Sequence, residues 1–320
     1  MSEQDTLVLD AATGAWWERP EYSTGEIELP GQSRLSADNR KVLEAIAVAA
    51  EKGKIEIPPM PRAAMEAARV LRQADPDPND LAKCIELDPA MSAWMLKHAN
   101  SALYGARVPI DTVARAVTHL GMRRLKAVIL ELSMRRMGDK VSAAAWSARE
   151  WNYSIAAACI ARALGKFAGL DEDMCYLAGL LHDIGRLPAL MELDIRKVLP
   201  IEPKPDSAVD IIAECLHRAL GVQVAKLWEL PPAVHDAIAL HLTGRHADEE
   251  SSAKFPSTKV ADAASDLCLA LGIGRDRRNF DVLSTPSLLA IGFTRDSLAK
   301  WLANDLPKVM AQVRELGSGR

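Results

Sequence analysis

Residues 81–121, which read LAKCIELDPAMSAWMLKHANSALYGARVPIDTVARAVTHLG, span most of three consecutive predicted helices. Asp88 and Pro89 form an N-cap followed by a proline in the first helical turn, so a helix is expected to begin there. Asn100 and Ser101 are short polar residues of the kind that bond to nearby backbone in turns. We therefore interpret these residues as determinants of the fold rather than as ligands.

Helical periodicity continues along the chain of 320 residues and predicts an all-α protein. Between Asp38 and Ala50, for example, Val42, Leu43 and Ile46 share one face, which is typical of a helix packed on one side. Long strand-like alternation is almost absent. Helices are predicted at 37–52, 62–74, 78–87, 89–99, 110–119, 121–137, 142–167, 171–190, 206–228, 231–243, 256–271 and 295–315.

The charge of the chain is nearly balanced, with 39 basic and 43 acidic residues and a net charge of −4. Such a chain has no global attraction to nucleic acid or anionic lipid. Residues 1–35 hold seven acidic and two basic residues, a net charge of −5, and we interpret them as a partly flexible acidic arm. We expect its Trp16 and Trp17 to dock, because two exposed indoles leave much apolar area in water.

The sequence favours a cytoplasmic protein. No apolar run approaches the roughly 18 residues of a membrane span, and the N-terminus lacks the basic and apolar segments of a signal peptide. The five cysteines form no CxxC pair. We therefore expect reduced thiols and no disulfide framework.

The segment AGLLHDIGRLPAL, residues 178–190, places His182 and Asp183 side by side. Neighbouring residues on a helix diverge by about 100°. Both can therefore reach one ion only at a helix edge, with other helices supplying further ligands. The alternative is a hydrogen-bonded histidine of the core.

The HDIG string after this apolar run resembles the histidine–aspartate (HD) metal phosphohydrolase superfamily. Members of that superfamily have a further metal-binding His upstream and an Asp on a downstream helix. Asp262 matches the downstream Asp, whereas Trp151 stands at the upstream position. An indole N–H only donates and cannot bind a metal ion. We therefore expect Trp151 to fill the space of the metal and its water.

Several motifs follow one another along the chain: IELDP at 85–89, ANSALYG at 99–105, HRALG at 217–221 and WELP at 228–231. Their order resembles the HDOD domain, the HD-related output domain of bacterial signalling proteins. This resemblance implies a multi-helix fold with an N-terminal helical cluster packed on an HD-like bundle. At the position of a second family His the sequence has Leu242. The matching residues are Ile85, Glu86, Asp88, Pro89, Asn100, Ser101, Gly105, Ile110, Ala116, Leu120, Gly121, Trp151, Ser154, Gly185, His217, Gly221, WELP at 228–231, Ile238 and His241.

Composition shifts near Leu35 and after Gly138 predict the domain boundaries. We expect the HDOD domain at 36–270, preceded by the acidic arm and followed by a helical extension at 271–320. Within the domain we expect the N-terminal cluster at 36–138 and the HD-like bundle at 142–270. The extension should contain two helices, one capped by Thr294 and one that starts at Asp305 and Pro307.

Potential metal ligands remain on several predicted helices. A divalent ion needs about three or four N or O donors, so three interpretations stay open: a structural polar cluster, a vestigial metal site and a working phosphohydrolase. No catalytic residue is assigned. No cofactor is expected, with a divalent metal ion as the alternative. The candidate ligands are His182, Asp183, His217, His241 and Asp262.

Four arginines of the predicted helix 121–137 form a further candidate site. They are Arg123, Arg124, Arg135 and Arg136. A solvated basic face explains them, and a phosphate or nucleic-acid contact is the alternative.

The resemblance implies a non-enzymatic regulatory output module of bacterial signal transduction. We expect a signalling protein as partner, keep a nucleotide as the alternative ligand, and expect neither nucleic-acid nor membrane binding. The sequence contains no receiver, kinase or cyclase segment, so we expect the input to arrive by binding. The alternative function is a metal-dependent phosphohydrolase acting on a nucleotide or phosphomonoester.

Overall fold

The computed structural model describes residues 32–204, 207–241, 256–275 and 281–317. Within these ranges the regular structure is α-helical with short 3-10 turns and no β-strand, which confirms the all-α prediction. Most of the acidic arm, including both of its tryptophans, lies outside the described residues. The helices are α1 (Ala37–Glu51), α2 (Arg62–Leu71), α3 (Pro78–Glu86), α4 (Pro89–Ala99), α5 (Val113–Gly138), α6 (Ala144–Phe167), α7 (Glu172–Leu181), α8 (Arg186–Ile195), α9 (Ala208–Leu227), α10 (Pro232–Leu240), α11 (Pro256–Leu271), α12 (Pro286–Ala290), α13 (Arg295–Asn304) and α14 (Leu306–Gly317).

Polar side chains fix both ends of α4. The Asp88 carboxylate accepts hydrogen bonds from the backbone N–H groups of Ala90 and Met91, which otherwise have no partner in a first helical turn. At the other end Asn100 donates to the carbonyl of Ile110 and accepts from its N–H, both at 2.8 Å. These two bonds tie together the ends of the loop between α4 and α5.

A kink divides α5 at Gly121, whose φ of +69° and ψ of 164° are not helical. A left-handed φ is easily adopted only by glycine. The kink lies at the first residue of the helix predicted at 121–137, two residues after the end of the helix predicted at 110–119. Ahead of it, Ser101 donates to the carbonyl of His98 at 2.8 Å, and Gly105 (φ +66°) completes that turn.

A buried ion pair links α4, α5 and α7. Nε2 of His98 lies 2.6 Å from Oε1 of Glu131, and the hydroxyl of Tyr176 donates to the other carboxylate oxygen at 3.0 Å. Nδ1 of His98 faces the carbonyl of Trp94 at 3.0 Å. Burial opposes the charged imidazole, but the Glu131 carboxylate and these hydrogen bonds outweigh burial and raise the pKa of His98.

This pair predicts a loss of stability at alkaline pH. A group whose pKa is raised by folding stabilises the protein fully below its unfolded pKa, about 6.5 for His, and the contribution disappears as pH rises through the folded pKa. We therefore expect the free energy of unfolding of the wild type to be lower at about pH 8.5 than at about pH 6. In Glu131→Gln the amide can donate to a neutral His98 and accept from Tyr176, so this fall should be absent. Urea unfolding at about pH 6 and 8.5 measures both proteins, and an equal fall in both would contradict the assignment.

The first helix packs against α8 and α9. Leu43 and Ile46 of α1 share a second hydrophobic core with Leu193 of α8 and with Ile212 and Leu216 of α9. This differs from the prediction, which grouped α1 with the helices of an N-terminal cluster at 36–138. The apolar stripe of α1 predicts that the helix packs, but it does not specify the partner.

The single helix predicted over 171–190 is wrong, because the chain breaks between α7 and α8. Apolar residues recur at helical spacing on both sides, so periodicity alone does not reveal the break. The turn between the two helices lies directly on the backbone of α9. A Cβ atom on Gly185 would be 1.8 Å from the carbonyl oxygen of His217 and 2.3 Å from the backbone nitrogen of Gly221. Only glycine permits this approach.

The C-terminal helices join the main core. Thr294 and Ser297 form a reciprocal capping box at the start of α13, as the sequence predicts. The rings of Phe167 and Phe293 stack with their centroids 3.7 Å apart, which holds the end of α6 to this region. The carboxylate of Glu315 accepts from the backbone N–H of Ala102 at 3.0 Å. The extension thus packs against both halves of the protein.

None of the described helices is both long and apolar enough to cross a membrane. The five cysteines are free thiols, as expected. Burial raises the pKa of Cys159, Cys175 and Cys215 to about 12, so these thiols stay protonated at neutral pH.

Candidate functional site

A buried cluster of imidazoles and one carboxylate lies where three helices meet. His182 and Asp183 occupy the turn after α7, His217 lies on α9, and His241 follows the last residue of α10. Because Gly185 lets the turn touch α9, Asp183 lies next to His217. The four side chains of the cluster are 5 % exposed or less.

Three of these side chains converge on one point. Nε2 of His241 lies 2.7 Å from Oδ1 of Asp183, and Nε2 of His217 lies 3.6 Å from the same oxygen. The two Nε2 atoms are 2.9 Å apart. Two lone pairs cannot face each other at this distance, so a proton or a cation must lie between them.

Backbone carbonyls orient all three imidazoles in the same way. Nδ1 of His182, His217 and His241 each faces the carbonyl oxygen three residues earlier, on Gly179, Glu214 and Ile238. A carbonyl only accepts, so each Nδ1 carries a proton. Nε2 of each imidazole therefore points toward the cluster. Histidines that bind metal ions are held by this type of hydrogen bond.

Burial keeps two of the imidazoles neutral at pH 7, lowering the pKa of His182 to about 4 and that of His217 to about 3. Burial also disfavours the charged form of Asp183. The guanidinium of Arg275 and the nearby imidazoles outweigh that effect and hold the pKa of Asp183 well below its usual range. The cluster thus contains an ionised carboxylate beside the neutral imidazoles of His182 and His217.

The donor set fits one divalent cation. The ligand atoms of Asp183, His217 and His241 lie within 4.8 Å of one another. Among the described residues no N–H or O–H is aligned to donate to Oδ1 of Asp183, although this oxygen is buried. A buried acceptor without a donor is costly. Two histidines and a carboxylate are a ligand set typical of Zn²⁺ and other transition metals.

The other oxygen of Asp183 is held by Arg275, which follows α11. The same guanidinium lies 3.3 Å from Oε2 of Glu150 and stacks on the ring of Tyr153 at 3.7 Å. The two carboxylates and the ring outweigh burial and raise the pKa of Arg275 further above its already high value. A protein cation therefore already lies beside Asp183.

A second buried arginine connects the cluster to α9. Arg186, 2 % exposed, donates to Glu150 at 3.1 Å, to Glu214 at 2.9 Å and to Asp210 at 3.0 Å. Arg149 also pairs with Asp210. The carboxylate of Glu150 thus lies between the two guanidinium groups of Arg186 and Arg275.

The sequence profile of the HDOD domain matches residues 57–243, more than half of the chain. The motifs that suggested this family are therefore supported by an independent comparison. The chain belongs to the HDOD family. The matched range lies inside the predicted domain at 36–270, whose outer boundaries stay a prediction.

Solved structures share the HDOD fold. A proposed metal-dependent phosphohydrolase from Shewanella amazonensis SB2B is 20 % identical, with a TM-score of 0.69 over 88 % of this chain and 99 % of the other. An HDOD domain protein of unknown function from Geobacter sulfurreducens is 22 % identical, with a TM-score of 0.65 over 86 % and 97 %. At these identities the likeness concerns the fold alone.

A curated relative is an uncharacterised protein of Treponema pallidum (strain Nichols). It is 26 % identical over 208 residues, which are 61 % of this chain and 39 % of the relative. The chain therefore spans about two fifths of the length of that protein.

Two of the five candidate ligands lie outside the group of three. Nε2 of His182 faces the hydroxyl of Tyr153 at 3.4 Å and lies 3.7 Å from Oδ2 of Asp183. Tyr153 also bonds to Ser265 at 2.8 Å. Asp262 is buried on α11. The HDOD scaffold thus brings His217, His241 and Asp183 together and places His182 beside Asp183.

Trp151 does not occupy the expected place beside the metal ligands. Its indole makes an edge contact with Trp94 at 5.7 Å and lies under the guanidinium of Arg135 at 5.0 Å. The side chain of α6 that reaches His182 is Tyr153, and the cation beside Asp183 is Arg275. Ser154 is buried on the same helix. Helical phase separates positions 151 and 153 by about 200°.

The four candidate arginines of α5 contact residues within the domain. Arg136 pairs with Asp88 at 2.7 Å, which adds a second partner to the cap of α4. The other pairs are Arg123 with Asp171 at 3.4 Å and Arg124 with Asp173 at 3.8 Å. Arg135 stacks on Trp94 at 5.3 Å as well as on Trp151. Arg123 and Arg124 remain 81 % and 44 % exposed in these pairs and are solvated, whereas Arg135 and Arg136 pack against the domain.

A cleft of about 680 Å³ opens beside Trp151, between the end of α5, the start of α6 and the end of α14. The polar groups of its lining include the guanidinium of Arg135, the carboxylate of Asp139, the amide of Asn152 and the hydroxyl groups of two serines. Representative lining residues are Arg135, Ser142, Ser147, Trp151, Asn152 and Leu187.

Tyr153, Glu150, Arg186 and Arg275 are site residues that the sequence motifs did not indicate. Glu150 and Tyr153 are spaced i and i+3 and so share a face of α6. The pair of glycines before Arg275 indicates a tight turn after α11, which was the one available signal for that residue.

Proposed function

We propose that this HDOD protein is a non-enzymatic regulatory module of signal transduction that acts by binding a protein or small-molecule partner. The observation that carries the proposal is the closed state of the HD-type cluster. Its ligands are buried, and Arg275 pairs with the Asp183 carboxylate. Hydrolysis requires access for a substrate and a positioned water molecule, and this arrangement favours neither.

The cleft beside Trp151 is the part of the domain that best suits a small ligand. Its volume of about 680 Å³ lies within the range of about 300–1,000 Å³ usual for ligand sites. Arg135 and Trp151 offer a cation and an aromatic ring, and Asn152 offers an amide. A planar anionic molecule, such as a nucleotide, matches this chemistry.

One experiment separates binding from catalysis. We expect nucleotides from a panel of mono-, di- and triphosphates to raise the melting temperature without release of phosphate or nucleoside, with Mg²⁺, Mn²⁺ or Zn²⁺ present. Ser147→Trp should abolish the shift by filling the cleft. Asp183→Asn, measured against its own melting temperature, should preserve it. Product release by the wild type that disappears in Asp183→Asn would contradict the proposal.

A metal-dependent phosphohydrolase is the second candidate function. The observation in its favour is that Oδ1 of Asp183 faces Nε2 of His217 and of His241 at 3.6 and 2.7 Å. These three residues would hold the ion, which would supply a Lewis acid and an activated water. The protein itself orients the imidazoles through their Nδ1–H groups and excludes bulk water. No described side chain is placed to act as an exposed acid or base toward a substrate there.

A further inference from the structure

A two-glycine turn carries Arg275 into the cluster. After α11, Gly272 and Gly274 both have left-handed φ values, +68° and +67°, and the N–H of Ile273 donates to the carbonyl of Cys268 at 3.0 Å. Glycine adopts this left-handed conformation at the end of a helix without steric strain, because it has no Cβ atom. The turn therefore folds back sharply instead of extending away from the end of the helix.

Gly274 also lies against the backbone of α6. A Cβ atom there would be 2.7 Å from the Cβ of Tyr153 and 2.9 Å from the carbonyl oxygen of Arg149. Any other residue would clash with the helix as well as adopt an unfavourable φ. The close contact fixes the Cα of the next residue, Arg275, at the edge of the cluster.

Three groups surround the Arg275 guanidinium. It pairs with Asp183, lies 3.3 Å from Glu150 and covers the ring of Tyr153 at 3.7 Å. Only 14 % of the side chain is exposed. Two carboxylates and an aromatic face form an environment for a cation, and Arg275 fills it.

The guanidinium and a divalent ion would compete for the same carboxylate. Asp183 is the one anionic member of the group that could hold a metal, since the other two members are histidines. Its pairing with Arg275 neutralises the charge that attracts a metal ion. A bound metal would in turn leave Arg275 facing added positive charge at short range, which is strongly unfavourable in a buried site.

We propose that Arg275 is a tethered cation that takes the place of a divalent metal ion beside Asp183, so that the Asp183–His217–His241 group binds metal tightly only when Arg275 is withdrawn. This inference rests on the proposed non-enzymatic function and deepens it. An arginine in the place of the metal ion explains why a cluster of this type would not hydrolyse a substrate. Gly272 and Gly274 shape the turn that holds Arg275 beside Asp183, so the position of the guanidinium is set by the fold.

Arg275→Met tests this proposal, because methionine keeps an unbranched apolar stem and removes the charge. Co²⁺ and Zn²⁺ alone are the probes, with Co²⁺ absorption and Zn²⁺ calorimetry as readouts. We expect the full-length variant to bind one ion per chain about 10- to 100-fold more tightly than the wild type, a scale typical of changes around metal ligands. Bound Zn²⁺ should also raise the melting temperature of the variant.

Two further variants keep the test decisive. Arg275→Met with Asp183→Asn should lose the gained site, and Gly274→Ala should gain metal affinity in the same direction because it displaces the turn from α6. If Arg275→Met does not fold, Gly274→Ala provides the measurement. The proposal is overturned by equal metal affinity of the wild type and the folded variants, or by a gained site that survives the Asp183→Asn change.

Metal binding and turnover are measured separately, so the two proposals can fail separately. Phosphate release by the wild type, lost in Asp183→Asn, would overturn the non-enzymatic function. Tight binding of Co²⁺ to the wild type without turnover would overturn only the role of Arg275.

Discussion

Gly185→Ala is expected to lose at least about 3 kcal/mol of unfolding free energy, the upper end of the usual penalty for overpacking. The new Cβ would lie 1.8 Å from the carbonyl oxygen of His217 and 2.3 Å from the nitrogen of Gly221. Both neighbours belong to the backbone of α9, so no side-chain rotation relieves the clash. Gly185 has a φ of −68°, which alanine adopts freely, so the clash alone accounts for the loss.

Urea unfolding followed by circular dichroism measures this effect. The matched control is Gly317→Ala, whose Cβ would meet only Oδ1 of Asn152 at 3.4 Å, an ordinary contact. That variant should remain within about 0.5 kcal/mol of the wild type. A Gly185→Ala protein equally close to the wild type would show that the α7–α8 turn does not touch α9 as the structure has it.

This contact also explains which parts of the fold the sequence predicts. Local signals, such as the Asp88 cap and the apolar stripe of α1, depend on neighbours within a few residues, and the corresponding helices are present. The break between α7 and α8 depends on α9, more than thirty residues further along the chain. Helical periodicity carries no information about such a partner, so the prediction of one helix there was wrong.

The same distinction between local and distant signals separates the site residues that the sequence indicates from those that it does not. His182 and Asp183 are recognised from the HDIG string, and His217 and His241 from spaced family motifs, so the sequence indicates most of the cluster. Arg275 escapes recognition because its interaction with Asp183 joins residues 92 positions apart. An arginine after a glycine turn is also common on protein surfaces, and only the close packing of that turn on α6 gives it a buried role.

Arg186→Met is expected to destabilise the protein by about 3–5 kcal/mol at pH 7, the usual range when one partner of a buried ion pair is removed. Methionine leaves the carboxylates of Glu150, Asp210 and Glu214 without their shared guanidinium, and Arg186 is only 2 % exposed. Arg69→Met is the matched control, because Arg69 is 65 % exposed and pairs with Glu66 on the surface. Such a pair contributes less than about 1 kcal/mol.

The pH dependence of this difference identifies its electrostatic origin. Burial opposes the charge of Glu214, but His217 and Arg186 outweigh burial and lower its pKa to about 2; Arg186, with Arg275 and Arg149, likewise lowers the pKa of Glu150. A carboxylate with a lowered pKa stabilises the fold above its unfolded pKa, about 4.3 for Glu, and the contribution is lost as pH falls through the folded pKa.

The wild type should therefore lose stability as the pH falls below about 4.3, whereas Arg186→Met already lacks one of the cations that lower these two pKa values. The gap in unfolding free energy between the two proteins should narrow steadily in acid. Urea unfolding at several pH values between about 7 and 3 measures it. A gap that stays constant across that range would mean that Arg186 acts by filling space, and a gap below about 1 kcal/mol at pH 7 would mean that its three carboxylates find other partners.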